Sequence, residues 1–269
     1  MIPKIIHYCW FGRNPLPPLA VKCIESWRKF LPDYEIKEWN EDNFDVNIIP
    51  YTAEAYKAKK YAFVSDYARF WILYKQGGLY FDTDVEVIRP MDDIIARGPF
   101  MGCENQASDT SVASVAPGLG LGVNPGLGLY KEILEMYAKL HFIRPDGSNN
   151  QTTVVTYITN LLCDHGLQSS NDIQLCANVW IYPKEYFCPK DFFTHKLEIT
   201  ANTYTIHHYD GSWVTPEQRY AQDLSLRLVW LPKGTRGYVA NFMTAYKFRG
   251  FLAAIEDVRK WWKRKNTDE

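Results

Sequence analysis

The sequence predicts an α/β protein built on a mostly parallel central sheet flanked by helices. The chain opens strand, helix, strand, the β-α-β signature of such a sheet. Short apolar runs and segments of helical period then alternate along most of its length. Its 269 residues, 46% hydrophobic and 23% charged, suit one domain with a substantial core and no need of disulfide or metal staples.

Ile5 to Phe11 reads as a buried strand, and Asn14 to Pro18 as a proline-rich turn. From Ala20 to Phe30, apolar residues at Val21, Ile24 and Trp27 recur at helical spacing, and Pro32-Asp33 ends the helix. Tyr34 to Trp39 alternates as a half-buried strand. Tyr51 to Lys60 predicts a short helix, and Ser65 a cap for a second one that Gly77-Gly78 stops. Strands are expected at Leu79 to Phe81, Val85 to Ile88 and Pro99 to Glu104. Five glycines between Pro117 and Gly128 predict a loop or weak strand with close backbone approach. Helices at Leu129 to Leu140 and Thr152 to Leu162 and strands at Ile173 to Tyr182 and Tyr204 to His208 follow. Thr215-Pro216-Glu217-Gln218 is a capping box opening a helix to about Trp230. Pro232-Lys233-Gly234 breaks it, and Phe251 to Lys263 is a last helix.

Thirty Lys and Arg against 31 Asp and Glu argue against a nucleic-acid binder, which carries a basic surplus. No run approaches the roughly 18 apolar residues of a membrane span. The opening MIPKIIHYCWFG lacks the basic start and cleavage site of a signal peptide, so a cytoplasmic protein is expected. Six cysteines without a C-x-x-C pair read as small buried residues.

Asp82 and Asp84 close an apolar strand in GGLYFDTDVEV. In an extended segment, side chains at i and i+2 leave the same face. Two carboxylates at the carboxyl end of a strand can hold Mg²⁺ or Mn²⁺, where ligands of open α/β sheets bind. Upstream, Asp66 and Arg69 are spaced i, i+3 on one helix and can face one site or each other. Downstream, HHYDGSW at 207 to 213 ends a strand in a histidine pair before a Gly turn and a Trp. By itself a D-x-D is a weak signal, and it is this context that raises it.

With these segments in view, the chain resembles the glycosyltransferases with a D-x-D motif and sugar-binding region, family 32. IPKIIHYCWFG, Trp39-Asn40, SDYARFWILYKQGGLYFDTDVEV, NPGLGLYKEILEMY and HHYDGSW carry the likeness, over about residues 2 to 213. The resemblance implies a GT-A type fold, with a Rossmann-like mixed central sheet and a helical C-terminal extension. It also implies a retaining transfer of a sugar from a nucleotide diphosphate, UDP-linked rather than GDP-mannose, to a hydroxyl of a glycan or lipid-linked glycan. Surface polysaccharide synthesis, such as capsule, is the expected setting. Tyr8 and Trp10 would meet the nucleotide; Ser65, Asp66, Arg69, Tyr80 and Asp82 the ribose, donor sugar and diphosphate; Asn150 and Gln151 the donor sugar. Ser212 and Trp213 would close over the diphosphate, and Glu104 would face the acceptor. Asp66, Asp82 and Asp84 are the expected catalytic carboxylates, and Asp82, Asp84 and His208, with His207 in reserve, the holders of Mn²⁺ or Mg²⁺.

The transferase domain is expected over 1–213 and the helical extension, packed on it, over 214–269. Phe251, Ile255, Val258 and Trp262 fall on one helical face of a basic stretch, which predicts peripheral contact with the inner face of the cell membrane. Two other classes compete: a carbohydrate-binding module without catalysis, which needs no aspartate pair, and a metal-dependent phosphohydrolase, which has no preference for nucleotide sugars.

Overall fold

The structure, a computed structural model, describes residues 1–192, 194–210 and 216–265. Its elements in chain order are β1 (Ile5–Cys9), α1 (Pro18–Phe30), β2 (Glu35–Trp39), α2 (Pro50–Lys57), α3 (Tyr61–Gln76), β3 (Gly78–Tyr80), β4 (Val85–Val87), α4 (Asp92–Arg97), β5 (Phe100–Gly102) and β6 (Leu121–Val123). There follow α5 (Gly128–Tyr137), α6 (Val154–Asp164), β7 (Gln174–Cys176), β8 (Val179–Tyr182), α7 (Lys184–Phe187), β9 (Thr205–His207), α8 (Pro216–Arg227), α9 (Lys233–Arg249) and α10 (Phe251–Lys265). The chain divides into two compact units, Met1–Asp210 and Gly211–Glu269.

In the first unit, seven strands form a mixed sheet in the order β2-β1-β3-β6-β5-β8-β7. β1 runs parallel to β2 and β3, β5 parallel to β8, and β6 antiparallel to β3 and β5. The expected mixed sheet flanked by helices is therefore present. Strand periodicity divides its side chains between two cores. Ile6, Tyr8, Leu79, Phe81, Phe100 and Tyr182 pack with Ile24 and Trp27 of α1, while Cys9, Tyr80, Met101, Leu121, Val123 and Ile181 pack with α3, α5 and α6. Both faces are covered, which is why the strands read as apolar runs without clean alternation.

Several elements depart from expectation. Ile173 to Tyr182 is a hairpin, not one strand: Ala177 and Asn178 both take positive φ, +48° and +62°, the requirement of a tight type I′ turn. Of the two forms expected for the glycine-rich stretch, the strand is present as β6, fully buried in the middle of the sheet. Its Gly122 is needed because a Cβ there would meet Phe100 at 2.1 Å. Ser65 is not a cap: α3 starts one turn earlier, and its hydroxyl donates to Tyr61 O at 3.2 Å. The expected helix end at Gly77-Gly78 is confirmed, with φ of +65° and +100°; a Cβ on Gly78 would meet Ile5 O at 2.6 Å. A second, two-stranded sheet pairs β4 with β9.

In the second unit α9 packs against both α8 and α10. Helix α9 was not expected from the sequence; Pro232, read as a breaker, is its N-cap residue. Thr215 of the expected capping box lies outside the described residues.

Candidate active site

The first unit brings five elements together at the carboxyl end of its parallel strands. α3 crosses the face that Tyr80 enters, and Asp82, two residues on, leaves by the same face. The Tyr80 hydroxyl donates to Asp82 Oδ1 at 3.0 Å, and Arg69 stacks over the Tyr80 ring at 5.0 Å. Arg69 Nη2 reaches Asp66 Oδ1 at 2.9 Å and Asp82 Oδ1 at 3.3 Å, and its Nε donates to Ser65 O at 3.1 Å. Asp66 and Arg69 thus meet each other and the site together, one helical turn apart. Among the described residues Arg69 Nη1 and Asp82 Oδ2 make no hydrogen bond. Both point at Gly118: a Cβ there would stand 2.1 Å from Asp82 Oδ2 and 3.5 Å from Arg69 Nη1. The Asp82 amide donates to Gly118 O at 3.1 Å, which fastens the glycine-rich loop to the motif.

Asp84 faces a different neighbourhood. Thr83-Asp84 is a turn, closed by Val85 N to Asp82 O at 3.0 Å, so the pair does not lie on the extended segment that the spacing implied. His207 Nε2 lies 3.2 Å from Asp84 Oδ1, and the Asp210 amide donates to Asp84 Oδ2 at 2.9 Å. Tyr209, at a φ of +56°, turns the chain so that this amide can reach it. His208 is directed to Glu86 Oε2 at 2.8 Å, where Lys22 Nζ also binds at 2.8 Å. Successive side chains of a strand leave opposite faces, so only one histidine of the pair can meet Asp84. The β4–β9 register sets Val85 opposite His207 and selects His207, where the sequence reading preferred His208.

The electrostatics follow from this wiring. Burial pushes the Asp66 carboxyl up to about 7, against the pull of Arg69 and with Asp82 adding to the rise. Asp82 is also raised, by burial first, although Arg69 opposes it. Burial works against ionised Asp84 too, but the charge and hydrogen bond of His207 and the amide of Asp210 prevail and hold it near 2. Burial lowers His207, and Asp84 more than reverses it, to about 10. Asp84 and His207 are therefore an ion pair at neutral pH, whereas Asp66 shares Arg69 with Asp82.

Hard carboxylate oxygens suit Mg²⁺ or Mn²⁺. Asp84 is ionised, and Asp82 keeps Oδ2 uncommitted in the space that Gly118 leaves open. The donor chemistry of those two residues suits such an ion, with His207 and the Asp210 amide already engaging Asp84. Among the described residues, no three His, Cys, Asp or Glu side chains stand as a ready cluster.

Other expected residues are spread around this centre. Trp10 sits just past β1, half-buried, its indole N–H donating to Asn14 O at 2.6 Å. Tyr8 is buried on the α1 face, its hydroxyl donating to Glu38 Oε2 at 2.7 Å. Glu104 is raised by burial while His207 and Lys184 pull it down, which puts it within electrostatic reach of His207. Asn150 lies four residues before α6 and donates to the Tyr157 hydroxyl at 2.9 Å; Gln151 beside it is exposed. Ser212 and Trp213 lie outside the described residues. Sequence reasoning missed Gly118, which was visible only as one glycine among five, and the Lys22–Glu86–His208 chain, which no local spacing announces.

Residues 17–101 match the family described as "Glycosyltransferase sugar-binding region containing DXD motif". Two inositol phosphoceramide mannosyltransferases of Schizosaccharomyces pombe are similar. Number 3 is 35% identical over 35% of this chain and 27% of its own length, and number 1 is 27% identical over 37% and 33%. The uncharacterized glycosyltransferase L373 of Acanthamoeba polyphaga mimivirus is 35% identical over 37% of this chain and 42% of its own. The chain thus spans less than half the length of the curated relatives it matches. Among solved structures, the PaToxG glycosyltransferase aligns at a TM-score of 0.43 and 17% identity, over 61% of this chain and 69% of that one. The galactosyltransferase LgtC, in complex with donor and acceptor sugar analogs, aligns at 0.40 and 12%, over 88% and 95%. Residues 17–101, which hold Asp66, Arg69, Asp82 and Asp84, are thus similar to the sugar-binding region of DXD-motif glycosyltransferases.

Proposed function

We propose that this protein transfers a sugar from a nucleotide diphosphate sugar to a hydroxyl of a glycan or lipid-linked glycan, with retention of configuration. The observation that carries the reading is the convergence of Asp66, Arg69 and Asp82 at one end of the sheet, with ionised Asp84 on the same turn. Asp82 and Asp84 would hold Mn²⁺ or Mg²⁺, which when bound supplies positive charge to the departing diphosphate. Arg69 offers Nη1 to an oxygen of the donor, and its guanidinium is pre-oriented by three acceptors. Asp66, near 7 and bound by Arg69, would serve as an acceptor and donor for a sugar hydroxyl rather than as a free carboxylate nucleophile. This favours a same-face reaction. The bond from the anomeric carbon to the phosphate oxygen breaks, the acceptor oxygen bonds to that carbon, and the acceptor proton passes to the leaving phosphate.

The resemblance favours a UDP-linked donor, whereas the relatives named as mannosyltransferases favour mannose as a second reading. Synthesis of a surface polysaccharide would supply the acceptor. The test is a panel of UDP- and GDP-linked sugars with Mn²⁺ or Mg²⁺, read as slow donor hydrolysis without acceptor. One donor is expected to be consumed, and Asp84→Asn is expected to lower its metal-dependent turnover at least about a hundredfold. Undiminished turnover in Asp84→Asn, or hydrolysis of simple phosphate esters in preference to every nucleotide sugar, would overturn the reading.

A further inference from the structure

The charge of this chain is unevenly divided. Residues 211–269 carry eleven Lys and Arg against six Asp and Glu, whereas residues 1–210 carry nineteen against twenty-five. The near-neutral total hides a basic second unit. That unit also exposes large apolar side chains. α9 ends at Arg249, Gly250 turns the chain at a φ of +88°, and α10 begins at once with Phe251 and Leu252. Leu252 is 83% exposed, Tyr246 58% and Phe251 55%. Tyr246 and Phe251 touch ring to ring, with centroids 6.4 Å apart. Lys247 lies over the Tyr220 ring at 3.8 Å, Arg249 braces the turn through Glu217 and Asp257, and Arg259 is exposed farther along α10.

Of the apolar face expected on α10, Phe251 stays exposed, whereas the middle of the helix is packed. Ala254 is fully buried and Ile255 and Val258 are half-buried where α10 packs on α9. The α9–α10 turn keeps its apolar side chains exposed. Among the described residues no helix is long and apolar enough to cross a membrane, so an apolar tip of this kind can reach only into a surface layer. Aromatic and aliphatic side chains set among Lys and Arg are the composition that lies at the boundary of headgroups and acyl chains on anionic bilayers.

We propose that the α9–α10 turn, with Tyr246, Phe251 and Leu252 at its tip, docks this chain on an anionic lipid surface. Charge complementarity chooses the occupant: the unit that carries the tip has a surplus of five positive charges, with Lys247 beside the turn and Arg259, Lys260, Lys263, Arg264 and Lys265 farther along the sequence. The inference is independent of the transferase reading, since it needs neither donor nor acceptor.

The protein of 269 residues is sedimented with vesicles of phosphatidylcholine alone and of phosphatidylcholine with an equal part of phosphatidylglycerol. Binding is expected only to the second, lost on raising the salt, and weakened about tenfold in the Phe251→Ser, Leu252→Ser double variant. Both positions are exposed, and unchanged helicity by circular dichroism confirms that the variant folds. Trp230, 75% exposed, sits at the opposite end of α9, about 25 Å away, so Trp230→Ser is expected to bind as the parent does. Equal binding to neutral vesicles, no binding at all, or an undiminished double variant would overturn the proposal. So would a parent that is dimeric in solution and made monomeric by the double variant, since the tip would then be covered by a second copy. Donor hydrolysis measured without vesicles is expected to be the same in all of these proteins, so failure here is distinguishable from failure of the catalytic reading.

Discussion

Gly118 shows how a single missing Cβ shapes the candidate site. It has no positive φ to explain it; what it supplies is space, because a methyl group would stand 2.1 Å from Asp82 Oδ2. Asp82 cannot retreat easily, being held by Tyr80 and Arg69 through its other oxygen. Gly118→Ala should therefore swing the carboxylate out of register. A displacement near 1 Å at a reacting centre costs on the order of a hundredfold in rate. The expected result is donor hydrolysis down by about that factor, with a thermal midpoint close to the parent's because the loop fold does not depend on the contact. Unchanged turnover, or a collapsed melting curve, would show that Gly118 does not serve the site. The sequence pointed to the aspartates, Arg69 and close backbone approach somewhere in 117–128. It could not say which glycine, because the partner is 36 residues distant in the chain and the register of β6 against β3 decides the meeting.

At the scale of elements, β1, β2 and the end of α3 are joined through one buried imidazole. Trp39 Nε1 donates to His7 Nδ1 at 3.0 Å, which leaves the proton on Nε2, and that nitrogen donates to Gly77 O at 3.0 Å. His7 is fully buried. Burial depresses it from 6.5 to about 4, more than the Gly77 hydrogen bond restores. The folded imidazole is thus neutral where the unfolded one takes up a proton. This contribution is complete above pH 6.5 and is lost as pH falls toward 4, by about 3 kcal/mol over the interval. Denaturant titrations at a series of pH values should show that loss in the parent, while His7→Gln, less stable at neutral pH, lacks that component of the slope. Identical slopes would mean that His7 is protonated in the folded state. Much of this element order was legible: β1, α1, β2 and the glycine stop of α3 were all foreseen within a few residues. The misreadings share a cause. The 173–182 run and α9 are segments whose local composition was ambiguous or adverse, and tertiary packing decided both, whereas β6 is the strand with close backbone approach that the glycines allowed.

The whole molecule divides where the described site ends. All seven strands of the main sheet, both faces of its core and every described residue of the candidate site lie within Met1–Asp210. The described residues of the second unit form α8, α9 and α10, and the unit has an opposite charge balance. Units that each bury their own apolar side chains fold on their own contacts. Ending the chain after Trp213 keeps the sheet, the DXD turn and the HHYDGSW segment. Such a protein should unfold cooperatively, with a near-ultraviolet circular dichroism signal that reports packed Trp27, Trp39 and Trp71. It should hydrolyse the donor within about tenfold of the full chain, since the reacting groups are unchanged. Vesicle binding should vanish, because Tyr246, Phe251 and Leu252 are gone. A truncated chain that aggregates or loses its near-ultraviolet signal would show that 211–269 is required for the fold of 1–210. One that folds but is inert toward every donor would place an essential catalytic group in the helices.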